Sequence, residues 1–494
     1  MSFGDLMSTI AKSLIAGCAI TLAANAAHAA GAVEYVRICS IYGEGYYYIP
    51  GTDTCLKIGG YVRSQAEYGS SSHGIVIGSG PLAGDGRFTR ATSEFAFSNR
   101  AVASFDARSV TAYGMLRTYL RFRISSTGAS GTTSTEAFAE RAFIQFAGFT
   151  FGRSQSFFDN VTFTNRYNYL DVRTAGDTAA DGTNLAAYTR ELGNGFSVSV
   201  SAEEPFSHFK SGTLDGAVAA FAANGVTVTN NHGIRMPDFI GNLRINQAWG
   251  TAGISGTIHD VSAAYFGATD LTTNGHPDSK FGWAVSGGAE IKLPFGDTFG
   301  INAVYSEGAA GYATKGGSWQ IYDSSSVGVG WITDGIFDTG REIQLTRVWS
   351  INAAYQHIWN PRWRTSIYGG FVDVSYNDTA KTIINSHLPG AAASIQCGVA
   401  VANAVWPPIT MTGGGAGNSC TPDFSFYQIG TRTEFTPVRG FGLGLDVFYT
   451  RLNTAYKGVG TYGANSPRPA MTALDDQNVL SAIFRVQRNL SGED

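Results

Sequence analysis

Polar and charged residues, arginine prominent among them, recur at every second position in several stretches of this chain. From Met115, Arg117, Tyr119, Arg121 and Arg123 alternate with Leu116, Thr118, Leu120, Phe122 and Ile124, so an extended segment there has one cationic and one apolar face. Leu56 to Tyr68 repeats the pattern, with Lys57, Tyr61, Arg63, Gln65 and Glu67 opposite Leu56, Ile58, Val62 and Ala66. On the same reading Arg90, Arg108, Arg141, Arg190, Arg244, Arg364, Arg432 and Arg485 share a polar face with Glu94, Asp106, Glu203, Glu290, Glu434 and Asp446. The connection from about Gln155 to Asn184 adds Asp159, Asp171, Asp177 and Asp181. Wall cations facing carboxylates on an inward connection would set a field across a narrow aqueous passage, where little water screens it. That is chemistry for sorting ions and polar solutes. Signatures of bond-making are missing: the chain has no G-x-S-x-G, no G-x-x-x-x-G-K-[ST] and no H-E-x-x-H, so neither catalysis nor a metal or cofactor is expected.

The elements that must carry these residues read as strands. Alternating segments bounded by turn signals lie near 56–68, 92–110, 115–126, 137–147, 149–155, 185–192, 196–204 and 238–248, then near 251–262, 282–293, 298–307, 343–359, 362–376, 424–436, 441–453 and 478–490. Short connections such as Gly193-Asn194-Gly195, Trp249-Gly250 and Asn360-Pro361 alternate with long polar ones. Short turns on one side and long loops on the other describe an all-β, antiparallel up-and-down barrel of sixteen strands crossing the outer membrane. Aromatics at strand ends, among them Trp249, Trp283, Trp359, Trp363, Phe435 and Phe441, suit interfacial girdles, whereas a soluble sandwich would bury them mid-strand. Sixteen strands also leave room for hydrated arginines inside.

Composition agrees. Only 15% of the 494 residues are charged, too few to cover an ordinary soluble surface. Past the N-terminus no apolar run approaches the ~20 residues a spanning helix needs. A net charge of −4 gives no basic excess, so nucleic acid is not an expected partner. Lys12, a small apolar run and Ala27-His28-Ala29 mark residues 1–29 as a signal peptide, leaving 30–494 as one barrel domain. Export places the chain where disulfides persist, and of the three pairings open to the remaining cysteines, proximity favours Cys39 with Cys55 and Cys397 with Cys420.

Several stretches resemble the porins of Alphaproteobacteria: Val33 to Cys39, Tyr46 to Ile58, Gly60-Tyr61-Val62-Arg63, Gly114 to Tyr119, Glu140 to Gly148, and Gly152 to Phe158. The resemblance implies a sixteen-stranded trimeric general-diffusion porin whose third loop bends into the lumen, with the segment like Gly152 to Phe158 leading into that loop. Segment 155–184 is then the constriction loop, 30–55 a periplasmic-side segment and 377–423 a long outer loop. The expected pore lining is Lys57, Arg63, Arg108, Arg117, Arg121 and Arg190 facing Asp159, Asp171, Asp177 and Asp181. The expected partners are two further copies of the chain, outer-membrane lipid and lipopolysaccharide, and small hydrophilic solutes and ions. A surface protein acting as adhesin or receptor through its long loops is the alternative.

Overall fold

The computed structural model describes residues 37–68, 95–129, 132–169, 181–205, 212–215, 231–266, 275–314, 317–323, 326–387, 410–411, 421–462 and 471–490. Sixteen long strands form the wall: β1 Cys55–Tyr68, β2 Phe95–Thr111, β3 Gly114–Ala129, β4 Thr132–Phe146, β5 Phe149–Ser154, β6 Thr183–Gly193, β7 Phe196–Glu203, β8 Asp238–Gln247, β9 Gly250–Val261, β10 Lys280–Lys292, β11 Thr298–Glu307, β12 Arg347–Asn360, β13 Trp363–Ser375, β14 Phe424–Val438, β15 Phe441–Asn453 and β16 Gln477–Asn489. Each pairs antiparallel with the next, and β16 closes on β1 from Tyr61↔Asn489 to Tyr68↔Ala482. All sixteen expected strands are present. The fourth begins at Thr132 rather than near 137, because Thr132 to Thr135 carry no apolar alternation yet continue the ladder against β3.

Closure leaves every wall residue facing either lipid or lumen. Ile58, Val62, Leu120, Phe122, Ile124, Ile254, Ile367 and Leu480 are exposed on the outer surface. On β12, Trp349 and Trp359 lie ten residues apart, which at ~3.3 Å per residue and ~40° tilt spans about 25 Å, the height of an apolar band. Trp349 packs on Phe371 near the long loops, and Trp363 stacks on Phe435 near the short turns. The tightest turns need left-handed backbone: Asn194 and Gly195 have φ of +51° and +75°, and a Cβ on Gly195 would lie 2.0 Å from the Asn246 carbonyl oxygen.

The lumen is not uniformly polar. Toward the long-loop side, inward residues Ile240, Val304, Val348, Val372, Phe424 and Leu452 pack with Tyr312, Trp331, Ile336, Ile383 and Tyr456 from the loops. This loop-borne core fills part of the outer half against β8 to β16 and leaves the β1–β6 side to the polar residues. The Cys39–Cys55 disulfide is present at the opposite mouth. The Cys397 and Cys420 pair lies outside the described residues, as does the expected signal peptide.

Candidate functional site

After β5 the chain turns inward, and Gln155 to Tyr169 runs along the inner wall from β7 round to β1. The Phe157 backbone N–H donates to Glu203 Oε1 on β7 at 2.8 Å. Arg244 on β8 donates to the Asp159 carbonyl oxygen at 2.6 Å. Asn160 Nδ2 donates to Ser255 Oγ on β9 and Ser286 Oγ on β10, both at 3.0 Å, and its Oδ1 accepts from Asn242 on β8. Such an approach is possible because Gly253 has no side chain: a Cβ there would meet Asn160 Oδ1 at 2.4 Å. Farther on, Arg166 pairs with Glu290 on β10, and the Tyr167 hydroxyl donates to the same carboxylate at 3.2 Å.

The loop's far edge is held most densely. Tyr169 donates its backbone N–H to Asp446 on β15 at 2.6 Å and its hydroxyl to Glu434 on β14 at 3.0 Å. Arg432 on β14 donates to the Arg166 carbonyl oxygen at 2.6 Å. Asn165, at φ +64°, presents Oδ1 to Arg485 on β16 at 2.8 Å and to Arg63 on β1 at 3.2 Å. Asparagine tolerates that left-handed conformation better than most residues.

Next to this edge, on β2 to β4, stands a second arginine cluster. Glu140, 0% exposed, takes Arg121 at 2.7 Å, Arg123 at 3.5 Å and Arg100 at 3.8 Å. Strict alternation would point Glu140 and Arg141 to opposite faces. The β3–β4 register shifts here: Arg121 pairs with Arg141 and Phe122 with Ala139, so Glu140 is the extra residue of a bulge and both side chains turn inward.

The expected site residues separate into groups. Arg63 and Arg121 share a cavity of about 150 Å³ with Arg364, Arg485, Tyr61 and Tyr169. Arg108 and Arg117 instead converge on Asp106, each at 2.9 Å, together with the Tyr46 hydroxyl at 2.8 Å. They line, with Lys57, a vestibule of about 850 Å³ at the short-turn mouth. Burial and the Asp106 carboxylate push the Tyr46 hydroxyl up to about 12, so it remains a donor. Arg190 is exposed and pairs with Val198, sharing the outer face with Tyr188 and Val200. It therefore points to the barrel exterior, at a strand end where a long side chain reaches water from an apolar surface. Asp159 is 1% exposed, accepts from Gln155 of its own loop and acts on the wall arginines Arg141 and Arg244 rather than on the Arg63 cavity. Asp181 pairs with Arg123 at 2.5 Å. Asp171 and Asp177 lie outside the described residues. Glu140, Asn160, Asn165 and Tyr169 carry the geometry without having been singled out by charge or spacing.

A closed sixteen-stranded barrel with a loop pinned inside it has a counterpart in sequence: a family model described as "Porin subfamily" matches residues 24–483. The chain belongs to this porin family. Porin Omp2b of Brucella canis is 30% identical over 359 residues, covering 64% of this chain and 90% of the relative. Porin Omp2a of Brucella melitensis is 30% identical over 363 residues, covering 63% and 89%. Among solved structures, the outer membrane channel DcaP of Acinetobacter baumannii aligns over 90% of this chain and 99% of its own with a TM-score of 0.54 and 12% identity, a likeness of fold. This porin is a multi-pass outer-membrane protein forming a diffusion channel for small hydrophilic solutes and ions, a channel rather than an enzyme. In a porin the short turns face the periplasm and the long loops the exterior, so the Tyr46–Asp106 vestibule opens to the periplasm and the loop-borne core to the outside.

Proposed function

We propose that selection in this channel occurs where the loop edge Asn165 to Tyr169 faces the Arg121–Glu140 wall, with residues 155–184 as the constriction loop. The observation that carries this reading is the set of hydrogen bonds tying Gln155–Tyr169 to β7 through β10 on one side and to β14, β15, β16 and β1 on the other. A polar solute exchanges water for fixed donors there and aligns its dipole with the local field, while an apolar solute disrupts ordered water without compensation. Passage needs no energy source. Lys57, Arg108 and Arg117 act one step earlier, as a cationic periplasmic vestibule behind the 30–55 segment. Residues 377–423 form an outer cap. Liposome swelling with sugars of increasing size tests the reading: Tyr169→Ala admits larger sugars than the native channel, and an unchanged cut-off refutes it.

Three copies assemble through β1 to β4, with lipid and lipopolysaccharide around the remaining wall. The supporting observation is an outward row that pairs Ser64 with Asn99, Asn99 with Ser126 and Ser126 with Thr135, between the exposed Phe97 and the outward Phe105 of β2. Alanines 101, 103, 107 and 139 share that surface. Hydrocarbon offers polar groups no partner, and small side chains allow close approach of another wall. Native mass measurement in mild detergent giving trimer for the native chain, and monomer for Asn99→Arg, is the expected result; monomer for the native chain refutes it.

A further inference from the structure

We infer that the constriction holds a small oxyanion, a carboxylate or phosphate head group, between Arg63 and Arg485. The inference rests on the reading of Asn165–Tyr169 as the constriction and adds the class of solute that lingers there. Both guanidiniums donate to one neutral oxygen, Asn165 Oδ1, at 3.2 and 2.8 Å. Arg485 further binds Gln65 Oε1 at 2.6 Å and the Tyr169 carbonyl oxygen at 3.2 Å, all uncharged acceptors. Both arginines are more than nine-tenths buried. Among the described residues neither forms a salt bridge, whereas Arg121 and Arg364 beside them hold Glu140 and Glu434.

The acids nearest Arg63 are already engaged. Glu67 accepts from Gln65 and Ser98 at 2.8 Å each, and Glu140 serves Arg100, Arg121 and Arg123. The guanidiniums of Arg63 and Arg432 act on Arg485, and the Asp446 carboxylate that also acts on it is already engaged by the Tyr169 N–H and the Tyr368 hydroxyl. A loop carboxylate at this point would have neutralised the pair; the loop instead supplies an amide. Two guanidinium forks side by side match the two or more oxygens of a carboxylate or phosphate, since each fork can take an oxygen of its own, whereas chloride offers one centre. The adjoining cavity of about 150 Å³ is well below the ~300 Å³ of a drug-sized pocket and suits a head group.

The test is single-channel recording of the full protein in a planar bilayer in potassium chloride, with inorganic phosphate or acetate added at constant pH. The expected result is a saturable fall in unit conductance with at least one of the two, and the anion that acts identifies the head group. Arg63→Gln and Arg485→Gln should each raise the half-blocking concentration at least about tenfold. Asn165→Asp, a loop change that leaves the wall strands intact, should abolish the block and raise the preference for potassium, because a carboxylate then occupies the site. Open channels whose current follows only bulk ion mobility for both anions, or block unchanged in Asn165→Asp, overturn the inference while leaving the channel reading intact. A purified trimer that conducts no current overturns both.

Discussion

The Arg485 guanidinium lies 3.9 Å from the centroid of the Tyr169 ring and donates to that residue's carbonyl oxygen. The last strand of the barrel thus grips the inward loop through a ring face and a backbone oxygen, contacts of about 1–2 kcal/mol each. Gly444 makes room for the ring: a Cβ there would sit 1.9 Å from the Tyr169 hydroxyl. Gly444→Ala should therefore displace Tyr169 and raise unit conductance, with the barrel still resistant to detergent on unheated gels. Unchanged conductance would mean the loop edge is not at the narrowest point.

Glu140 anchors three arginines from a fully buried position. Removing its charge leaves Arg100 and Arg121 without a salt-bridge partner among the described residues, while Arg123 keeps Asp181 and Glu136, and breaking a buried pair costs on the order of 3 kcal/mol. Glu140→Gln should lower the urea midpoint of the refolded barrel and move the reversal potential toward anions. A variant with native stability and native selectivity would show the cluster to be solvated and of no consequence.

Arg190 and Arg121 carry the same charge but face opposite ways. Arg121→Ser should shift the reversal potential toward cations in a salt gradient, and the shift should shrink near 1 M salt, where the Debye length is about 3 Å. Arg190→Ser should leave selectivity unchanged. A shift of equal size in both variants would place Arg190 in the lumen.

Asp297, in the periplasmic turn before β11, accepts from the Tyr355 hydroxyl at 2.6 Å, from His357 at 2.8 Å and from the Ile358 N–H at 2.9 Å. These hydrogen bonds lower its carboxyl to about 2. A folded value below the unfolded one means the turn's stabilisation is complete above the ordinary carboxylate range and is lost as pH falls toward 2. The carboxyl-carbon shift of Asp297 should titrate near 2, and a midpoint at the ordinary ~3.9 would contradict the three-donor arrangement.

Cys39–Cys55 closes the segment that carries Tyr46 onto Asp106. Closing a loop of about 15 residues is worth ~3 kcal/mol in the chain-entropy model. A non-reduced digest should yield the linked peptides, and Cys39→Ser should increase protease cleavage between residues 40 and 54. Free thiols at both positions in the native protein would refute the bridge.

The wall was legible because a membrane barrel forces one binary choice per residue, lipid or lumen, and that choice repeats every second position. The places where reading failed are those where the rule is locally suspended. At Glu140 a bulge inserts one residue and turns two neighbours to the same side. At Arg190 the strand nears its turn, where charge on the outer face reaches water. At Ile240, Val372 and Phe426 the inward face is apolar because loops fold back and bury it, a long-range event with no local period. The loop acids drew attention by charge, yet the described edge of the loop works through Asn165, Tyr169 and backbone carbonyls, whose donor and acceptor roles no spacing announces.

The most direct test of the constriction is unit conductance and reversal potential, in one salt gradient, for the native trimer and for Arg63→Ser/Arg121→Ser. Two long cationic side chains leave the cavity they share, so conductance should hold or rise, the reversal potential should move toward potassium, and larger sugars should pass. Intact trimers with native conductance and native reversal potential would contradict the placement of the constriction at Arg63, Arg121 and the Asn165–Tyr169 edge.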